Sequence, residues 1–147
     1  RQMLLEILPK YGELAHQAGT CLTIEPVVRS SVVCLHTLAE VAAFCRELNS
    51  PGVALVADFS IMAEEETSLH GAFLSGGRYV RQVHLSSRRR RMPGQESDDA
   101  RLFADGFKGL KAIGYQGFCS YECGMFTGFC ENLPMSMAFL RQQWDLA

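Results

Sequence analysis

The stretch Asn49-Ser50-Pro51-Gly52-Val53-Ala54-Leu55-Val56-Ala57-Asp58 is the most informative segment for the architecture of the chain. It begins with a turn formed by Asn49-Ser50-Pro51-Gly52, because proline and glycine side by side interrupt regular structure. A short apolar run follows from Val53 to Ala57 and ends on one ionisable residue, Asp58. A short apolar run bounded by a turn predicts a β-strand. We therefore predict a strand over 53–58.

Helical patterns lie on both sides of this strand. Thr37 is a suitable N-cap for a helix over 38–48, with Glu40 as its capping-box partner. After the strand, a helix is predicted over 64–74, ending at Ser75-Gly76-Gly77. The same alternation continues in both directions, with strands predicted over 21–26, 79–85 and 118–122 and helices over 4–18, 98–113 and 132–144. Pro9 is expected to kink or split the first helix, and Pro134 is allowed in the first turn of the last.

The chain thus consists of four successive βα units, which implies parallel strands joined by right-handed crossovers. Such units form either a small open sheet or half of a (β/α)8 barrel. Strand alternation favours the barrel, because one face of the predicted sheet is apolar and the other is mixed, with Thr23, Val56, Val80, Gln82 and Ser120 on it. We expect an α/β fold in which residues 1–147 form a single partial TIM-barrel domain, with outer helices on one side.

Composition excludes several classes of protein. The 147 residues are 48% hydrophobic and 20% charged, as in ordinary globular proteins. The net charge of −2 gives the chain no basic footprint for nucleic acid, and no apolar run has the length of a membrane span. The six cysteines form no CxxC pair, so we expect reduced core thiols in a cytoplasmic protein. The start at Arg1, without a methionine, is typical of a truncated chain.

Each predicted strand ends in a residue that can bind a metal ion: Glu25, Asp58, His84 and Glu122. The carboxyl ends of parallel strands lie at one edge of the sheet, which in a (β/α)8 barrel is the mouth that holds the active site. Three carboxylates and one imidazole suit a divalent ion such as Mn²⁺, Mg²⁺ or Co²⁺. One polar residue at a strand end means little, but four at consecutive strand ends predict a metal site.

The chain resembles the sugar phosphate isomerase/epimerase family, the xylose isomerase-like barrels, and within it the ketose 3-epimerases and hydroxypyruvate isomerases. The residues that carry the resemblance are Ile24-Glu25-Pro26, Ala57-Asp58 with Met62, Val83-His84-Leu85, Arg90 with Pro93-Gly94, Ile113-Gly114-Tyr115-Gln116-Gly117 and Ser120-Tyr121-Glu122. The resemblance covers nearly the whole chain but only the C-terminal half of a family barrel. It implies that an N-terminal half-barrel, or a second copy of this chain, completes the fold.

The resemblance also implies a mechanism. One metal ion would be held by the four strand-end residues, and a sugar or sugar phosphate would bind beside it. Glu25 and Glu122 would act as acid and base on opposite sides of a substrate carbon, through a cis-enediolate. Arg90 matches the family arginine that contacts substrate oxygens. Ile61 and Ser31 depart from the pattern, because the family has a substrate-contacting histidine at the first position and ketose 3-epimerases have a second glutamate at the other.

Other interpretations of these residues stay open. The four cations Arg88 to Arg91 form either an oxyanion clamp or a solvated loop with one functional member, and we favour the loop for all except Arg90. A degenerate barrel fragment could bind a sugar-like ligand without turnover. An abasic-site endonuclease of the related barrel type needs a cluster of about three zinc ions with extra histidines, and Ile61 stands where one such histidine is expected.

Overall fold

The structure, a computed structural model, describes residues 1–124 and 128–147. Its helices are α1 (Gln2–Gln17), α2 (Leu38–Leu48), α3 (Phe59–Glu65), α4 (Leu69–Gly76), α5 (Asp99–Ala112) and α6 (Phe129–Leu146). Its strands are β1 (Leu22–Ile24), β2 (Val53–Asp58), β3 (Val80–Leu85) and β4 (Phe118–Tyr121). The strands pair in the order β1-β2-β3-β4, and all three pairings are parallel. The predicted α/β architecture is confirmed at this level.

The core lies between the sheet and the helices that cover one of its faces. All six residues of β2 are buried, as expected for an inner strand. Four aromatic rings, Phe59, Phe73, Phe103 and Phe107, pack under it at centroid distances of 5.0–5.9 Å. By contrast, β1 and β4 lie at the sheet edges and are largely exposed, with Phe118 87% accessible.

The helix predicted over 64–74 is wrong, because the structure has two helices there. The first, α3, begins directly after β2, since the side chain of Asp58 accepts a hydrogen bond from the Ile61 N–H. The chain is extended at Glu66, and α4 then starts behind the N-cap Ser68. Asp105 of α5 strengthens that second start, because its carboxylate accepts hydrogen bonds from the Leu69 and His70 N–H groups.

Four smaller expectations also need correction. Pro9 lies inside a continuous α1 and does not split it, and α6 starts at Phe129, so Pro134 lies beyond its first turn. Val80 belongs to the core and not to the mixed face of the sheet, because the register shifts between Leu55 and Val56. Among the cysteines only Cys45 is buried, although all six are free thiols.

In the described part of the chain, no helix combines the length and apolarity that crossing a membrane requires.

Candidate metal centre

Four side chains of metal-ligand type meet at the carboxyl edge of the sheet. Asp58 ends β2 and His84 lies near the end of β3, where the two are direct neighbours across the ladder. Glu25 follows β1, and Glu122 follows β4 with its N–H bonded to the Leu85 carbonyl. One ligand atom from each lies within 4.8 Å of all the others. The structure therefore brings together all four residues that the sequence singles out.

The ring nitrogen Nδ1 of His84 is the centre of this cluster. It lies 3.4 Å from Oε1 of Glu25 and 4.0 Å from Oδ2 of Asp58, and it contacts Oε2 of Glu122 directly. These four atoms are buried and none of them makes a hydrogen bond. Buried polar atoms without partners are rare and unfavourable. Four of them converging from four strands form a donor set that fits one divalent cation.

Asp58 links the site to the fold. Its side chain is fully buried, with Oδ1 capping α3 through the Ile61 N–H at 3.0 Å and Oδ2 turned to the cluster. Burial raises the pKa of Asp58 to about 6, although the Ile61 N–H and the nearby charge of Arg90 lower it. The carboxylate is thus held in a place where its charge is unfavourable until a cation compensates it.

Arg90 supplies positive charge beside the cluster. Its Nη1 lies 2.9 Å from Oε1 of Glu122 and 3.4 Å from Oδ2 of Asp58. Partial burial raises the pKa of Glu122. The hydrogen bond from Arg90 and the interaction with Asp58 lower it, and together they outweigh the effect of burial, so that the pKa lies below its usual value. Arg89 and Arg90 both have positive φ, at 58° and 54°, a conformation that is uncommon outside glycine. Backbone bonds from Arg90 N–H to Ser60 Oγ and from Gly124 N–H to the Arg90 carbonyl hold it.

The other cations of the basic run serve the loop. Arg88 donates to Asp98 at 2.8 Å and to the Ala63 carbonyl at 2.5 Å, and so fastens the loop to α3. Arg91 lies 3.5 Å from Glu96. Arg88, Arg90 and Arg91 therefore have different partners, which favours a loop with one site-facing member, Arg90, over a single oxyanion clamp.

Asp99 organises the loop that carries Arg90, a role that sequence reasoning missed. The helix predicted over 98–113 gives Asp99 no role beyond the helix start, but the residue is 1% exposed and its Oδ2 accepts three hydrogen bonds. The donors are Ser87 Oγ at 2.7 Å, Gly94 N–H at 2.7 Å and Glu96 N–H at 3.0 Å. The loop that carries Arg90 is folded around this carboxylate. The available signal was an acidic residue at a helix start, five residues after Gly94 of the Pro93-Gly94 turn.

The two positions that depart from the family pattern carry no charge here. Ile61 is buried in the first turn of α3, with 9% exposure. Ser31 lies exposed in the loop after β1, where its N–H donates to the Val28 carbonyl. Neither side chain belongs to the cluster of Glu25, Asp58, His84 and Glu122, to which Ile61 contributes only its backbone N–H bond to Asp58.

The chain was compared with known proteins. Residues 1–142 match the family model described as "Xylose isomerase-like TIM barrel". The chain is 30% identical over 122 residues to 3-dehydro-D-guloside 4-epimerase of Escherichia coli, covering 83% of this chain and 45% of that protein. It is 31% identical over 137 residues to L-ribulose 3-epimerase of Mesorhizobium japonicum, covering 93% of this chain and 45% of that protein.

A solved structure of D-psicose 3-epimerase, in the presence of D-fructose, superposes with a TM-score of 0.86 and 22% identity. The alignment covers 95% of this chain and 55% of that structure. At this identity the likeness concerns the fold alone. The chain spans about half the length of the curated relatives that it matches.

Proposed function

Because the chain belongs to the xylose isomerase-like TIM barrel family, we propose that it supplies the metal-binding, two-glutamate half of a sugar isomerase/epimerase. The observation that carries the proposal is the set of four buried, unpartnered donor atoms from Glu25, Asp58, His84 and Glu122. We further propose that residues 1–147 are a single partial barrel domain. Six free thiols fit a reducing compartment, which supports the cytoplasm as its location.

The names of the two curated relatives narrow the proposed reaction. One is a 4-epimerase of a 3-dehydro sugar and the other a 3-epimerase of ribulose, a 2-ketose. In both, the carbon that changes configuration is next to a ketone. A C–H bond beside a ketone is the acidic one, so proton removal and return is the shared chemistry. The proposed substrate is accordingly a ketose, a sugar phosphate or a related hydroxy-carbonyl compound.

Each residue of the site has a proposed role in the reaction. Glu25, Asp58, His84 and Glu122 would hold one divalent ion, Mn²⁺, Mg²⁺ or Co²⁺. A bound ion acts as a Lewis acid that stabilises negative charge on the substrate oxygen. Glu25 follows β1 and Glu122 follows β4, the two edge strands of the sheet. One of these glutamates would remove a proton from the substrate carbon, and the other would return a proton on the opposite side, through a cis-enediolate. Arg90 would bind a substrate oxygen with the guanidinium that now contacts Glu122.

Isotope exchange in the complete enzyme tests the two-glutamate mechanism. Glu25→Gln and Glu122→Gln should each abolish turnover while the sugar still binds, since glutamine keeps an oxygen that can ligate the ion but cannot transfer a proton. During the wild-type reaction the substrate hydrogen beside the carbonyl should exchange with solvent deuterium. Epimerised product without deuterium would indicate a hydride shift and exclude the enediolate.

A matched pair of arginine variants tests the role of Arg90. Arg90→Ala should lower kcat/KM at least about tenfold, the loss of one charge-assisted hydrogen bond to substrate. Arg88→Ala, which loses contacts to Asp98 and Ala63, should leave KM near the wild-type value and lower only stability. Equal effects on kcat/KM would mean that the basic run acts only as a diffuse positive field.

We also propose that a second half-barrel completes the site. Both edge strands are exposed, and Phe118 of β4 is 87% accessible on the face opposite the helices. Parallel sheets covered on one side only are rare, and open edges invite pairing. The partner would supply the remaining strands, either from the same polypeptide or from a second copy. Metal-dependent turnover by a monomeric 147-residue chain would disprove this architecture.

A degenerate barrel that binds a sugar without turnover is the second candidate, favoured by Ile61 and Ser31 in place of the usual substrate contacts. It predicts ligand-induced stabilisation of the complete protein with no deuterium exchange at any carbon. The endonuclease alternative is weaker, because the cluster at the strand ends contains a single histidine, His84. A three-zinc centre needs more nitrogen ligands than this cluster offers.

A further inference from the structure

Gln82 lies on β3 two residues before His84, so both side chains emerge on the same face of the sheet. Its amide nitrogen is 3.1 Å from Nε2 of His84 and 3.4 Å from Oγ of Ser120 on β4. The reaction described above does not use this half-buried glutamine. Its position is nonetheless specific, because it contacts the ring nitrogen of His84 that faces away from the carboxylates.

The tautomer of His84 depends on what its two nitrogens meet. A neutral imidazole carries one N–H and one acceptor nitrogen. Nδ1 faces Glu25, Asp58 and Glu122. A cation at Nδ1 needs the lone pair there, so the ring proton must then be on Nε2 and needs an acceptor. Without a cation, Nδ1 is best protonated against the carboxylates, and Nε2 then needs a donor.

A carboxamide can meet both demands, because turning it by half a turn exchanges its N–H₂ and its oxygen. As oriented here, the Gln82 amide nitrogen faces Nε2, and it can donate there when Nε2 carries no proton, as in the cation-free arrangement. After rotation, its oxygen would accept the Nε2–H. The Ser120 hydroxyl can follow, because it accepts from the amide in one state and donates to the oxygen in the other.

We propose that Gln82 is a positioning residue for His84, whose side-chain oxygen accepts the Nε2–H when Nδ1 holds a divalent cation. The inference rests on the proposed function, in that His84 is taken as a metal ligand. Partners of this kind fix the orientation of metal-binding histidines, and their loss typically weakens metal affinity about 10- to 100-fold.

Calorimetric titration with Mn²⁺ alone tests the proposal on the full chain. Gln82→Met keeps the length of the side chain but removes both hydrogen-bonding groups, and should bind Mn²⁺ about 10- to 100-fold more weakly. Gln82→Glu retains an acceptor oxygen and should restore most of the affinity. Gln116→Met, at an exposed position before β4, is the matched control and should bind like the wild type.

A second readout needs no variant. In the Zn²⁺-loaded wild-type chain, ¹⁵N spectra of the histidine rings should show the proton of His84 on Nε2. Equal Mn²⁺ affinity of the wild type and Gln82→Met, or a Zn²⁺-loaded ring with its proton on Nδ1, overturns the positioning role alone. A wild-type chain that binds no Mn²⁺ overturns the proposed metal site and this inference together.

Discussion

Replacing Asp58 by asparagine should stabilise the cation-free chain while removing its metal binding. The carboxyl group is fully buried, and burial raises its pKa from 3.8 to about 6. The native state therefore binds the proton more tightly than the unfolded chain. Stability is lost as the pH rises between these two values, and above about 6 the whole penalty is present. At about 1.4 kcal/mol per pKa unit, the ionised carboxylate costs about 3 kcal/mol at pH 7.

Asparagine removes that penalty without removing the helix cap. It is as good an N-cap as aspartate, so the bond to the Ile61 N–H should persist. In EDTA at pH 7, Asp58→Asn should be more stable by up to about 3 kcal/mol, or roughly 6–12 °C in Tm for a chain of this size. Below about pH 4 the gain should vanish, because the wild-type group is then protonated. The exposed Asp145→Asn is the control and should change stability by less than about 0.5 kcal/mol.

Urea unfolding with and without Mn²⁺ measures both effects. A ligand at 100 times its Kd stabilises the native state by about 2.7 kcal/mol, and this gain should appear in the wild type and be absent in Asp58→Asn. If Asp58→Asn were less stable than the wild type in EDTA at pH 7, the buried carboxylate would be well compensated without a cation, and the reasoning would be refuted.

Two further changes probe the packing and the loop, each measured by thermal and urea unfolding. Gly106→Ala should lower the free energy of unfolding by about 1–3 kcal/mol, because a Cβ there would overlap the Phe59 ring. Gly71→Ala lies at an exposed helical position with its nearest neighbour at 3.8 Å and should raise that free energy by about 0.4–1 kcal/mol. Similar values for the two variants would contradict the packing. Asp99→Ala should lower the free energy of unfolding by at least about 2 kcal/mol, because three donors lose their acceptor. The same change should speed trypsin cleavage after Arg89. Unchanged cleavage would show that the loop does not depend on the Asp99 carboxylate.

Much of the fold and of the site could be predicted from local sequence. The apolar run at 53–58 gives β2 with the same bounds, and the Thr37 cap gives α2 over the predicted range. The positions of Glu25, Asp58, His84 and Glu122 follow from one rule, that parallel strands end at one edge. Local periodicity and strand polarity are properties of short segments, so a single sequence contains them.

The remaining features depend on contacts between segments that are distant along the chain. The register shift at Leu55/Val56 moved Val80 into the core, because pairing with β3 sets the side that each residue faces. The start of α4 is strengthened by Asp105, which is 36 residues away from Leu69. The loop around Asp99 and the contact of Gln82 with His84 and Ser120 are likewise fixed by partners in other segments. Local sequence therefore predicts which residues can bind a metal ion and which strand end each one occupies, whereas hydrogen-bond partners distant along the chain set how those residues are held.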